Sequence, residues 1–335
     1  MTLILSADDL DGLVPLPEAI DAVRAAHAEL AAGTASQPAP AALGSSVSSS
    51  VMLPMVASSG RLNLSVVKAL TDAPDNRGRG LPTQRSVIMV LDSTTGECLA
   101  IIDGAVVTRA RTAAASAVAT AALANPDATR LGLVGAGRLA IEHVAAIRTV
   151  RPISQIRVWS RSIDTLSAFR TAVGADIAVS VESSPADVVA SSDIVCTLTP
   201  SQDPIVSGAW FHPGLHLNAV GAPPRADHRE IDATGMAAAT VFVDSTATQL
   251  AKSGDALLSI ADGTTTEADF QRELGSVLIG QDPGRTHHDE ITLFNSVGLA
   301  LQDLAYAALC LEKAAELGLG QTVRLSASPA LAPIG

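Results

Sequence analysis

The sequence predicts an α/β protein built around a doubly wound parallel sheet, and three observations lead there. Of 335 residues, 47% are apolar and only 2% aromatic, so the core must be filled with Ala, Val, Leu and Ile, as in parallel strands covered by helices. From Leu131 onward, short strand-like runs alternate with stretches of helical periodicity. The chain also exceeds the ~250–300 residues at which one hydrophobic core stops growing, which predicts two domains with a cleft between them.

Pro17–Ala32 places Ile20, Val23, Ala26, His27 and Leu30 at helical spacing, with Gly33 as a stop. Thr34–Ser50, rich in Ser, Ala and Pro, reads as an irregular or edge-strand segment. Val51–Met55, Leu62–Val67 and Ser86–Leu91 are short strands, and Cys98–Ile102 pairs back across the turn Asp92–Gly96; a mainly antiparallel sheet follows. Thr108–Leu123 is Ala-rich and free of Gly and Pro, which predicts a helix ended by Asn125-Pro126 and connecting the domains.

After it come strands at Leu131–Gly135, Ile156–Ser160, Ile177–Val181 and Ile194–Thr199, separated by helices at Leu139–Thr149, Ile163–Val173 and Pro185–Ala190. Leu215–Val220, Val241–Asp244 and Ile291–Phe294 complete the same sheet. A final helix, Gly298–Leu317, has Leu301, Leu304, Ala305, Ala308 and Leu311 on one face and can return to the first domain.

The net charge of −12 repels phosphate backbones and anionic lipid, so nucleic-acid and membrane-surface roles are disfavoured and small-molecule chemistry is expected. Met1–Ser6 carries no Lys or Arg and is followed by Asp8, Asp9 and Asp11, unlike a signal peptide. The longest apolar run, Ala113–Ala124, is too short to span a bilayer. Cys98, Cys196 and Cys310 lie far apart in apolar stretches and read as buried, reduced thiols, and a cytoplasmic location is expected.

The strongest local signal is Leu131–Ala140, an apolar strand running into Gly135-Ala136-Gly137 and an apolar-periodic helix. Gly135 permits the tight turn, Gly137 lets backbone N–H groups approach a pyrophosphate, and Ala140 lets helix and strand pack closely; this is the Rossmann dinucleotide signature. The new helix N-terminus adds partial positive charge. Where an NAD enzyme closes its second strand with Asp or Glu, this chain has Trp159-Ser160-Arg161-Ser162. Without a carboxylate to repel a 2′-phosphate, and with Arg161 to pair it, NADP(H) is favoured over NAD(H) unless Arg161 is merely solvated.

A second constellation joins Gly78–Arg85 to Thr108–Ala114. Arg111 opens an almost uncharged helix, where a buried guanidinium needs a partner; a substrate carboxylate would supply it in bidentate form. Lys68, ending the apolar run Leu62–Val67, reads on composition first as a snorkelling side chain and otherwise as a donor aimed into a cleft. His287-His288-Asp289-Glu290 lacks further ligands at metal spacing and reads as a solvated loop.

Together these pieces resemble the ornithine cyclodeaminase and mu-crystallin family. The resemblance rests on Lys68, Asn76–Thr83, Leu91–Gly96, Ala105–Thr112, Gly135–Gly137, Val158–Arg161, Asp193–Pro200, Asn218–Gly221, Arg229–Asp232 and Ser296–Ala300. It implies a Rossmann domain, 116–299, inserted in an α+β substrate-binding and dimerisation domain, 1–115 and 300–335, closed by the C-terminal helix. It further implies a homodimer, and substrate carboxylate binding at Lys68 and Arg111, with Thr83 and Val297 flanking the substrate. The cofactor is expected near Thr83, Arg111, Thr112, Gly135, Gly137, Arg138, Leu139, Ser160, Arg161, Thr197, Thr199, Val220 and Ser296.

Within the family, cyclodeaminases place an Asp two residues after the glycine equivalent to Gly221. Here Pro223 stands there, Asp227 can substitute only if its loop folds back, and Val51 stands near another acidic position. The expected activity is therefore NAD(P)H-dependent oxidoreduction at the C–N bond of an α-imino or α-amino acid. Ornithine cyclodeamination and a non-catalytic, crystallin-like ligand-binding protein are the alternatives.

Overall fold

The computed structural model describes residues 1–325; the last ten positions of the expected 300–335 segment, 326–335, lie outside the described residues. Two sheets organise the chain. The first contains β1 (Thr2–Leu5), β2 (Ala35–Ser36), β3 (Leu43–Gly44), β4 (Val51–Ser59), β5 (Leu64–Asp72), β6 (Gln84–Asp92) and β7 (Cys98–Asp103), with a short strand from the end of the chain added at its edge. The β4–β5–β6–β7 meander is antiparallel, as its alternating pattern predicts, and β1 joins β7 in parallel. The expected edge segment Thr34–Ser50 supplies β2 and β3, both paired to β4.

Along β5 the inward side chains are Val66, Lys68, Leu70 and Asp72, the period of two that a strand imposes. Lys68 thus shares the face of the apolar residues. On this side of the sheet α3 (Gly104–Leu123) packs on β6, and α1 (Ala7–Leu10) and α2 (Leu16–Ala31) pack on α3. Helix α3 starts one turn before the predicted Thr108 because Asp103 caps it, accepting from the N–H groups of Ala105 and Val106 at 3.0 and 3.2 Å.

The second sheet is wholly parallel. Its strands and helices alternate as β8 (Arg130–Val134), α4 (Arg138–Val150), β9 (Gln155–Trp159), α5 (Ile163–Val173), β10 (Ala178–Val181), α6 (Pro185–Ala190), β11 (Ile194–Thr197) and β12 (His216–Ala219). There follow α7 (Ala233–Ala238), β13 (Thr240–Val243), α8 (Thr246–Lys252), α9 (Gly254–Ala261), α10 (Leu274–Leu278) and β14 (Thr292–Asn295). The spatial order is β10-β9-β8-β11-β12-β14-β13, so the winding reverses between β8 and β11. In such sheets ligands bind outside the carboxyl ends of the strands at that reversal.

Helix α11 (Ala300–Leu317) then crosses back and packs on β4, β5, α2 and α3, and β15 (Gln321–Val323) pairs with β1. The fold is the mixed α/β architecture that the sequence predicts, with a parallel Rossmann-type sheet. No helix among the described residues is long and apolar enough to cross a membrane. The cysteines are free; Cys196 and Cys310 are buried and Cys98 is only half-buried, which amends the expectation for that thiol. His287 and His288 are exposed in the loop before β14.

Candidate active site

Four segments leave the carboxyl ends of parallel strands and converge. They are Gly135–Arg138 after β8, Leu198–Pro200 after β11, Val220–Ala222 after β12 and Ser296–Gly298 after β14. Facing them from the first domain are Met55 on β4, Lys68 and Leu70 on β5, and Thr108, Arg109, Arg111 and Thr112 on α3; with Leu139 of α4 and the segments after β11, β12 and β14 they enclose a cavity of about 230 Å³.

At the turn after β8, Gly135 has φ +114°, and a Cβ there would stand 3.0 Å from the Leu198 carbonyl oxygen, so only glycine fits. Gly137 is the N-cap of α4; a Cβ on it would meet no protein atom within 4 Å and would project into the space before the helix. The first turn of α4 carries no acid and opens with Arg138. Arg138 also lines a cavity of about 620 Å³ with Arg77, Thr83 and Arg225, and this cavity shares Gln84, Pro200 and Gly221 with the smaller one. Helix dipole, free N–H groups, glycine and arginine together fit a dinucleotide pyrophosphate. Ser160 and Arg161 directly follow β9, and Arg161 is exposed and forms no ion pair among the described residues.

The charged end of the smaller cavity is built on a residue that the sequence reading did not single out. Asp303, fully buried in the first turn of α11, accepts from Lys68 Nζ at 2.9 Å and from Arg111 Nε at 3.1 Å on the same oxygen. Lys68 is fully buried and does not snorkel; it also donates to the Thr108 hydroxyl at 2.7 Å. Burial pushes its ammonium down to about 8 against the opposing pull of Asp303. Burial pushes the Asp303 carboxyl up, but Arg111 and Lys68 outweigh it and hold the group below its ordinary value.

Arg111 Nη1 donates to Gln302 Oε1 at 2.8 Å, and the Gln302 amide in turn meets His27 Nε2 at 3.0 Å. Burial, then Arg111, depress His27 to about 4, so at neutral pH the imidazole offers a lone pair that orients the Gln302 amide with its oxygen toward the guanidinium. The expectation that Arg111 waits for a substrate carboxylate is therefore amended. An internal acid and amide occupy two of its donors, and three of the guanidinium's five N–H groups are left for another partner.

The remaining expected residues fall into two groups. Leu139, Val220, Ser296, Val297 and Thr112 line the smaller cavity, although the Thr112 hydroxyl donates to the Thr108 carbonyl and that of Ser296 to Asp244. Thr197 and Thr199 turn their hydroxyls away from it, onto the buried carboxylate of Glu230 at 2.7 Å each. Glu230 also accepts from the N–H groups of Thr199 and Gly221 at 2.6 and 2.8 Å. It fastens the segments after β11 and β12 from behind.

Asp227 does not reach the cavity. Its side chain is 67% exposed and accepts from His228 Nδ1 at 2.9 Å, while Arg225 in the same loop is bound to Asp72 of β5. The position two residues past Gly221 presents Pro223, and Pro224 lines the cavity wall.

The family model of the ornithine cyclodeaminase/mu-crystallin family matches residues 1–318. The chain belongs to that family. Mus musculus ketimine reductase mu-crystallin is 36% identical over 242 residues, covering 72% of this chain and 74% of that protein. Delta(1)-pyrroline-2-carboxylate reductase of Bacillus cereus (strain ATCC 10987 / NRS 248) is 31% identical over 326 residues, 96% of this chain and 99% of the other. The structure of Thermococcus litoralis Delta(1)-pyrroline-2-carboxylate reductase in complex with NADH and L-proline superposes with a TM-score of 0.92 at 33% identity, covering 96% of this chain and all of that one. This family member thus shares its architecture along nearly its whole length with a reductase that binds a nicotinamide dinucleotide and a cyclic amino acid.

Proposed function

We propose that the chain is an NAD(P)H-dependent oxidoreductase that acts at the C–N bond of an α-imino acid, reducing a cyclic or N-substituted imine to the amino acid. The carrying observation is that Lys68 and Arg111 meet at one end of a cavity whose other walls include Leu139 of α4 and the segments after β11, β12 and β14. The nicotinamide supplies the hydride. The protein's part is to hold the carboxylate with Lys68 and Arg111, and so fix the C–N carbon in one place, which converts encounter into near-attack geometry. An iminium carbon is already electrophilic, so little acid catalysis is needed. Beyond the cations, Met55, Leu70, Val220, Ala222, Pro224 and Val297 give the cavity an apolar wall, beside the polar Gln84, Thr108, Thr112 and Ser296.

Cyclodeamination is less well supported, because a distal ammonium needs a carboxylate and Asp227 points to solvent. With cyclic 2-imino carboxylates, or 2-oxo acids plus methylamine, cofactor oxidation should be sustained. Ornithine consumed without net cofactor oxidation would replace this reading by cyclodeamination, and ligand binding without turnover by a binding role.

The cofactor preference we propose is NADP(H), resting on Arg161 beyond β9 and the lack of a carboxylate at Ser160. In the same assay Arg161→Ala should weaken NADPH by roughly 1.5–3 kcal/mol, as for a hydrogen bond to a charged group, and leave NADH nearly unchanged. A wild type that prefers NADH would remove this role for Arg161. The proposed setting is a cytoplasmic homodimer, with 1–115 and 300–335 forming the substrate and dimerisation domain and 116–299 the inserted dinucleotide domain.

Lys68 sets a pH limit. Its depressed pKa, about 8, means that the cationic form that attracts a carboxylate is present below about pH 8 and lost above it. The dissociation constant of pyrrole-2-carboxylate, whose carboxyl stays ionised from neutral pH upward, should be flat from pH 6 to 8 and rise above that by up to roughly tenfold per unit for each lysine that titrates; burial pushes Lys252 in the same cavity down to about 8 as well, so Lys68→Met should make the rise shallower. Calorimetry with the cofactor present measures it, and an affinity constant to pH 10 would exclude Lys68 as the anchoring charge.

A further inference from the structure

Lys252, the last residue of α8, is 5% exposed and lines the same cavity as Lys68 and Arg111. Its Nζ has one partner among the described residues, the Gly298 carbonyl at 3.4 Å, although an ammonium carries three donors. The nearby carboxylate, Asp244, does not answer it with a hydrogen bond. Its oxygens accept instead from the Ser245, Val297 and Gly298 N–H groups and the Ser296 hydroxyl, at 2.8–3.1 Å.

Gly298 lies directly against Arg111: a Cβ on it would be 2.7 Å from both Nη1 and Nη2. Lys252 and the guanidinium therefore flank the same glycine. The buried charges gathered here are three cations, Lys68, Arg111 and Lys252, and two carboxylates, Asp303 and Asp244. A buried cation in excess is costly unless an anion joins it.

We propose that Lys252 is a third anchor for the substrate's carboxylate, completing with Lys68 and Arg111 a site for one anionic group. This rests on the imino-acid reading above and extends it: the ligand class is a monocarboxylic imino acid whose remaining atoms face the apolar wall. Arg111 and Lys68 each spend a donor on Asp303, and Lys252 adds to what they have left an ammonium whose one partner is the Gly298 carbonyl at 3.4 Å.

The test uses full-length protein with saturating NADPH and compares pyrrole-2-carboxylate with pyrrole-2-carboxamide, the same ring without the charge. In the wild type the carboxylate should bind more tightly by calorimetry. Lys252→Met, and Lys252→Gln as the variant that keeps a donor for Gly298, should cut that preference roughly ten- to hundredfold, the size of a charge-assisted hydrogen bond. Lys252→Arg should restore much of it. In turnover, KM for a cyclic imino carboxylate should rise more than kcat falls. A preference unchanged in folded Lys252→Met and Lys252→Gln overturns the role of Lys252 alone, and so does a tighter fit for pyrrole-2,5-dicarboxylate than for the monocarboxylate. A wild type that binds neither ring overturns the imino-acid reading as well.

Discussion

Replacing Arg111 by Ala should lower kcat/KM for the imino acid by roughly two to four orders of magnitude, about 3–5 kcal/mol of lost transition-state stabilisation. The structure adds a second consequence. Because Arg111 shares Asp303 with Lys68, its removal strips one of two cations from a fully buried carboxylate, and the melting temperature should fall too. Arg111→Lys separates the two effects. It keeps a charge near Asp303, so much of the stability should return, but it loses the planar fork that grips a carboxylate, so efficiency should stay at least tenfold down. Melting and steady-state kinetics on both variants decide the matter. A folded Arg111→Lys enzyme with wild-type efficiency would make Arg111 a structural residue.

Gly137→Val should abolish measurable dinucleotide binding, a loss of more than about a hundredfold, while leaving the fold intact. Gly135 is the poorer test, since its positive φ and its approach to Leu198 would strain any substituted chain. At Gly137 the backbone is extended, φ −74° and ψ −174°, and the new side chain meets no protein atom. The cost to stability is that of a poorer N-cap, on the order of 1 kcal/mol. The branched side chain would stand where the pyrophosphate must approach the first N–H groups of α4. Fluorescence titration with NADPH and NADH, alongside circular dichroism, reads both quantities; unaltered affinity in the folded variant would remove the cofactor from this turn.

The parallel sheet was readable because its signals are local. Helices α5 and α6 span the predicted residues, and the Gly135–Gly137 turn announces itself by strand, glycine and helix within Leu131–Ala140. β1 and β15, four and three residues long, carry too little pattern to be seen and exist because they pair with β7 and with each other. The charged site divides in the same way. Arg111 was suspicious by itself as a cation in an Ala-rich helix, and the same reasoning, applied to Asp303 as the lone charge in the first turns of α11, would have paired them. Lys68 alone looked like a snorkelling lysine, because its burial depends on a carboxylate 235 positions away. Lys252 gave no signal at all, since only the crossing of α8 behind Gly298 brings it to the cavity.

That separation bears on how the enzyme is made. During synthesis the ribosome releases β5 and α3 first, then the whole dinucleotide unit, and α11 last. Domains form largely as they emerge, so a nascent chain can already hold the Gly135–Gly137 turn while Lys68 and Arg111, 235 and 192 positions before Asp303, still lack it. Two like charges are then left facing each other in a half-built core. The closing helix is thus the step that sets a carboxylate between two like charges, and on the proposed reading it completes the substrate's anchoring site only when Asp303 arrives.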